Sequence, residues 1–300
     1  MVEKKHMRTH RARHLVSVVA AAVLAFAACS KQESGLQTLV RISVDPFTFT
    51  TEGIDNQQMQ TKLSADTMAW ITVAVYDADA GQLVYHESQQ KSAQASSGAH
   101  YGDVEMRLHA GNYIVQALAY NSSEEIELLS QQSARFAGIK SDCHVGTKAV
   151  AVTGSGTVDI SMHLNRIVAK FGMRMWGPIP DSVASMELAF SGGDGLFNPA
   201  NGNLTVDTAF VYSTTVSSSV RAMDSVTLHA LTLLTGQTQT MDITARARNA
   251  QGQLLFERTF ENVRLERNKS TLARGDFFSA TAEGNFSVDL DYEEGEVINF

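Results

Sequence analysis

Alternation of apolar and polar residues at every second position is the feature that most limits what this chain can become. Ile71, Val73 and Val75 alternate with Thr72 and Ala74, and Val104, Met106 and Leu108 with Asp103, Glu105, Arg107 and His109. Val158, Ile160, Met162 and Leu164 lie between Asp159, Ser161 and His163, and Ile243, Ala245 and Ala247 between Thr244, Arg246 and Arg248. Successive strand residues point to opposite faces, so each run has one apolar face and one wet face. Parallel sheets covered by helices need runs that are apolar throughout, so this pattern calls for antiparallel sheets with one solvated side. Turn clusters separate the runs at Asp77–Gly81, Ala110–Asn112, Gly154–Gly156, Ser191–Gly195 and Asn249–Gly252. Many short strands with frequent turn signals predict an all-β chain of stacked antiparallel sheets. One segment, Ser122–Gln132, reads as a short helix, with Ser122 and Glu125 at capping-box spacing and Ile126 and Leu129 on one face.

The run Val158–Leu164 passes through Asn165-Arg166 into a new strand, Ile167–Met175. Trp176-Gly-Pro-Ile-Pro180 closes it, because two prolines cannot continue a central strand. We therefore divide the chain into a segment 1–28, a first β-sandwich domain over 29–165 and a second over 166–300. No Gly/Ser-rich linker intervenes, which predicts a fairly fixed relation between the two.

The segment 1–28 reads as a lipoprotein signal peptide. Lys4, Lys5, Arg8, Arg11 and Arg13 face a single acid, Glu3, and the uncharged run Leu15–Ala28 follows. That run is too short to span a bilayer, which takes roughly 20 apolar residues. Leu24-Ala-Phe-Ala-Ala28-Cys29 places small residues ahead of a thiol, predicting cleavage between Ala28 and Cys29 and lipidation of Cys29 with palmitate-type acyl chains. Phe26 departs from the aliphatic residue usual at its place. The alternative is ordinary cleavage after Ala25-Phe-Ala27, with Cys29 unmodified. Ser30 rather than aspartate follows the cysteine, so the expected destination is the outer membrane, with the body lipid-anchored at the cell surface.

Composition removes several classes of function. The signal segment takes five of the 24 basic residues and one of the 32 acids, leaving a net charge near −12. Nucleic-acid phosphates call for basic patches, so a nucleic-acid partner is not expected. With Cys29 committed to lipid, Cys143 has no partner within the chain, and Cys143-His144 reads as strand or loop neighbours rather than metal ligands. The histidines are scattered, and His109 and His163 fall on the wet parity of their strands. Asp77-x-Asp79-x-Gly81 lacks the remaining oxygen ligands of a calcium loop and reads as a hairpin turn, as does Asp194 among glycines. No nucleophile elbow, phosphate loop or dinucleotide fingerprint is present, so no enzyme and no cofactor are expected. Trp70 and Trp176 read as packing residues rather than as a sugar platform.

Several stretches together resemble the fimbrillin superfamily, the lipoprotein-derived subunits of major and minor fimbriae in Bacteroidales-type bacteria. They are the lipoprotein signal with a strand candidate Leu39–Val44 close behind it, and the hairpin from Ile71–Tyr76 to Leu83–Tyr85. Further on come Leu108-His-Ala-Gly-Asn-Tyr-Ile-Val-Gln-Ala117, Leu164-Asn-Arg-Ile-Val-Ala-Lys170 and Val263-Arg-Leu-Glu-Arg-Asn-Lys-Ser-Thr-Leu-Ala-Arg-Gly275. The resemblance implies two tandem transthyretin-like antiparallel β-sandwich domains. It also implies polymerisation by β-strand exchange, in which a protease removes the first strand after an arginine and a neighbour's strand fills the groove. The resemblance is to the superfamily as a whole and does not distinguish stalk, tip and anchor members.

Two places could serve such a mechanism. Arg41 is a candidate processing point, with an outward-facing strand arginine as the alternative. The terminal stretch 285–300, with Phe286, Val288, Leu290 and Tyr292 on one face, is a candidate donor strand, with the last edge strand of its own domain as the alternative. The expected partners are other fimbrial subunits, the outer membrane through the lipid, and host or bacterial surface receptors. The competing function is a surface lipoprotein that binds glycans, which would display two or three aromatic side chains on one flat face.

Overall fold

The computed structural model describes residues 36–44, 68–94, 100–138, 141–278 and 287–289. In chain order the strands begin with β1 (Thr38–Ser43), β2 (Trp70–Asp77) and β3 (Leu83–Gln90). The one-turn helix α1 (Lys91–Gln94) precedes β4 (Asp103–Leu108), β5 (Gly111–Tyr120), β6 (Glu127–Ser130) and β7 (Ser133–Arg135). Then come β8 (Cys143–Val152), β9 (Thr157–Ser161) and β10 (Asn165–Arg166). The second half holds β11 (Val168–Trp176), β12 (Ser185–Phe197), β13 (Leu204–Thr215), the short helix α2 (Ser218–Arg221) and β14 (Ser225–Leu233). It finishes with β15 (Thr238–Arg248), β16 (Leu254–Glu266), β17 (Ser270–Gly275) and β18 (Ser287–Asp289).

These strands form four sheets: β4-β1-β9, β10-β8-β5-β2-β3, β14-β11-β17-β18, and β16-β15-β12-β7-β6 with β13 on the other side of β12. The all-β antiparallel-sandwich class expected from the period-two pattern is what the chain adopts. Numbering the strands exposes a repeat. In the first half β1 lies between antiparallel β4 and parallel β9, and β2 pairs with both β3 and β5, which pairs with β8. In the second, β11 lies between antiparallel β14 and parallel β17, and β12 pairs with both β13 and β15, which pairs with β16. The same seven-strand order thus occurs twice.

Each repeat closes over its own core. Val40, Ile42, Ile71, Val73, Val104, Met106, Val115 and Ile160 belong to the first, and Phe171, Met173, Leu188, Phe190, Leu228, Ile243 and Phe260 to the second. A third cluster joins them, combining Leu118, Tyr120, Ile126 and Val145 of the first half with Ile167, Phe197, Leu204 and Leu233 of the second. Gln37–Phe300 accordingly forms one compact unit. No helix among the described residues is long and apolar enough to cross a membrane.

Two local expectations are overturned. Ser122–Gln132 does not form a helix: Glu127–Ser130 is β6, turning back into β7, whose Ala134 pairs with Phe197 at the end of β12. Burial of Ile126 and Ala134 in the joining cluster outweighs the weak helical pattern. Ser191–Gly195 is not a turn but a bulge within β12, whose pairing with β13 shifts between Phe190 and Asp194. Gly193 has φ 98°, and a Cβ there would come within 1.8 Å of Thr232 Oγ1, so the bulge requires glycine. Asp77–Gly81, in contrast, is the expected hairpin turn, with Asp77 Oδ1 accepting from the Asp79 and Ala80 amides.

Candidate functional site

Thr38-Leu-Val-Arg-Ile-Ser43 alternates strictly, and β1 uses that alternation on both faces. Val40, Ile42 and Val44 just beyond the strand are fully buried in the first core, while Arg41 is exposed. Burial of each of the three aliphatic side chains contributes about 1.5–3 kcal/mol. On the wet face, Arg41 stands directly opposite Glu105 of β4, and Nε meets the carboxylate at 2.8 Å. Ser43 donates to Asp103 at 2.8 Å. These exposed contacts set register and add at most about 1 kcal/mol apiece.

The backbone of β1 is engaged on both sides. It runs antiparallel to β4 from Thr38 opposite Leu108 to Ser43 opposite Asp103, and parallel to β9 from Leu39 beside Thr157 to Ser43 beside Ser161. Departure of β1 would uncover two strand edges and a furrow between them, walled by Val104, Met106, Leu108 and Ile160 and floored by Ile71, Val73 and Val115. Unpaired backbone groups beside an apolar groove are what an incoming extended strand can satisfy in one step.

The structure places the sequence-predicted residues unevenly. Arg41 sits at the middle of β1 as an outward-facing strand residue, its peptide held between Glu105 and Asp159. Ala28, Cys29, Phe286, Leu290 and Tyr292 lie outside the described residues. Val288 lies in β18, whose backbone runs antiparallel to β17 with Val288 opposite Ala273. His109 and His163 are exposed, as their parity required. Cys143 and His144 are adjacent residues of β8, both fully buried. Burial raises the Cys143 thiol well above its ordinary pKa and lowers His144 to about 4, partly offset by Asp142.

Sequence reasoning placed Arg166 and Arg267 in stretches that carry the resemblance but did not show what they bind. Arg166, almost fully buried, makes a two-pronged contact across the joint with Asp142, Nε at 2.8 Å and Nη2 at 2.6 Å. Arg267 ties together separate turns of the second half, donating to Ile167 O at 3.1 Å, Asn201 O at 2.9 Å, Gly202 O at 3.0 Å and Asn203 Oδ1 at 3.0 Å. Desolvation lowers its pKa. Gly202 packs so tightly that a Cβ would lie 2.2 Å from Ile167. Trp70 joins the same region, stacked on Tyr120 at 6.3 Å with its indole N–H donating to Ser122 O. It is a packing residue. These contacts span up to a hundred positions in sequence, and no local pattern marks them.

Forty-one solved chains match this fold. One is a protein of Bacteroides thetaiotaomicron (DUF1812) provisionally described as polysaccharide-binding: 12% identity, 80% of this chain and 91% of that one covered, TM-score 0.54. Another is a provisional adhesin of Bacteroides ovatus: 11% identity, 85% of this chain and 97% of that one, TM-score 0.54. The fimbrial anchor protein Mfa2 of Porphyromonas gingivalis is 14% identical over 85% of this chain and 99% of that one, with a TM-score of 0.49. No curated protein matches in sequence. The first two likenesses establish a shared fold. A family model matches residues 37–299, and the chain belongs to that family, described as a family of unknown function (DUF6562).

Proposed function

We propose that this chain is a structural or adhesive subunit of a cell-surface fimbria, anchored in the outer membrane by lipid on Cys29 and joined to neighbouring subunits by strand exchange. The observation that carries this reading is the position of β1, the first strand of the described residues, wedged between two strands that have no other partner on that side among the described residues. The adhesin name of a protein built this way is in keeping with it. In this reading the body comprises two sandwich domains divided near residue 166, one for each seven-strand repeat.

Arg41 favours the anchored over the processed form. A cut after Arg41 would divide β1, leaving Ile42 and Val44 to fill half the groove. It would also require a protease to grip a peptide paired on both sides. An intact chain stays on its lipid and serves as a base or accessory subunit; to donate the stretch 285–300 to a neighbour, it would have to release β18 from β17. The test is the N-terminus of the protein taken from cells. Acylated Cys29 on the mature form is expected, whereas a start at Ile42 would identify a polymerising stalk subunit. Failure of the purified body to form SDS-resistant ladders with any fimbrial partner would refute the assembly role.

The second reading, a glycan-binding surface lipoprotein, loses its stacking form. Trp176 is the one exposed aromatic among the described large apolar side chains, so no aromatic platform is assembled there. A polar cleft at the joint keeps open a different mode of sugar recognition.

A further inference from the structure

Between the two sandwich repeats lies a cleft of about 500 Å³ whose wall is made by β8, β10, the turn before Asn203 and the turn between β16 and β17. Its volume falls within the range of small-molecule sites, but its lining is polar where such sites are mostly apolar. Amide side chains of Asn165, Asn201, Gln237 and Asn268 surround Arg166 and Arg267, and no acid is among the lining residues. The charge of Arg166 is matched by Asp142. Arg267 is different. Among the described residues its hydrogen bonds all go to neutral oxygens, and the second hydrogen on Nη1 is left by the contact to Asn201 O. A half-buried guanidinium without a carboxylate partner is a net positive charge at the back of a polar cleft, where the low local dielectric strengthens attraction for an anion.

We propose that this cleft binds a carboxylate-bearing sugar, such as a uronic acid unit of a surface or matrix polysaccharide. A carboxylate matches the planar guanidinium and its remaining donor. Four primary amides match the hydroxyls of a pyranose ring, Asn165 and Gln237 with both ends and Asn201 and Asn268 chiefly with their NH2 groups, since Asn201 Oδ1 accepts from Asn203 N and Asn268 Oδ1 from Arg166. A bare anion would leave those amides without a role, and a neutral sugar would leave Arg267 uncompensated. The site does not depend on the fimbrial reading, since neither β1 nor β18 is among its described lining residues.

Titration calorimetry on the full lipoprotein in detergent, with digalacturonate, the matching neutral disaccharide and acetate as probes, tests this. Digalacturonate is expected to bind at least tenfold more tightly than either control. Gln237 is exposed on the rim, so Gln237→Glu keeps the fold, checked by an unchanged urea midpoint, and brings a like charge to the sugar carboxylate; it should weaken digalacturonate at least fivefold. Arg267→Lys keeps the charge but loses the remaining Nη1 donor and should weaken it similarly. Absence of binding at millimolar sugar, equal affinity for acidic and neutral disaccharides, acetate binding as tightly as digalacturonate, or no effect of Gln237→Glu would each overturn the proposal.

Discussion

β1 and β11 occupy the same slot in successive repeats, each between one antiparallel and one parallel neighbour, yet they are held very differently. β1 has six residues and buries Val40 and Ile42 with no aromatic ring. β11 has nine, and buries Val168, Ala169, Phe171, Met173 and Met175. Phe171 packs edge-on to Phe190 at 6.1 Å and against Phe260 at 5.7 Å. The entrance to β11 is also tied down, with Asn268 N donating to Val168 O and Arg267 Nε to Ile167 O. One topology therefore holds a long, aromatic-packed strand in one place and a shorter, less fastened one in another. Strand order alone does not say which strand can be exchanged; length, side-chain volume and the fastening of the ends do.

Substitutions can break this contrast or sharpen it. Phe171→Ala should have the largest effect, about 3–5 kcal/mol of lost stability by urea denaturation, because the aromatic cluster around it cannot fully collapse. A loss below about 1 kcal/mol would mean that β11 is no better held than β1. Ile42→Ala should cost less, about 2–3 kcal/mol, and should speed amide exchange in β4 and β9 while β14 and β17 keep their protection. Equal acceleration in both repeats would show that the two cores open together.

The joint adds a pH dependence of its own. His144 is buried with its pKa lowered from 6.5 to about 4, so the unfolded chain takes up a proton that the folded chain refuses. Stability is then full above about pH 6.5, falls as pH drops toward 4, and levels off below, a loss of roughly 2–3 kcal/mol from this group. Denaturation midpoints between pH 7 and 4, with His144→Gln as the flattened control, measure it. The smallest effect should come from Arg41→Ala, below about 1 kcal/mol because its pair with Glu105 is exposed. A larger loss would mean that the wet face of β1, rather than its core face, holds the strand.

Much of this was legible in the sequence, and the reasons for the rest are physical. Alternation marked the strands because burial on one face imposes period two, and it placed Arg41, His109 and His163 outward correctly. The repeat was not legible, since strand order depends on pairings distant in sequence. At Ser122–Gln132 a local helical pattern lost to burial of Ile126 and to the pairing of Ala134 with Phe197. At Ser191–Gly195 a glycine cluster that commonly marks a turn serves instead to let a strand pass close beneath Thr232. Arg267 fell within a stretch that carried the resemblance, but its role was not legible because its acceptors come from Ile167, Asn201, Gly202 and Asn203, which only the fold assembles.

The unequal slots also bear on how chains of this kind can be arranged. A molecule with two equally loose strands could accept neighbours at both and would build branched meshes. Under the proposed strand exchange, β11, fastened at the joint, would stay in place and β1 would be the one slot of this kind open to a neighbour among the described residues. Growth would then have a direction and no branches, and a chain whose first strand never left would be the terminus where growth stopped.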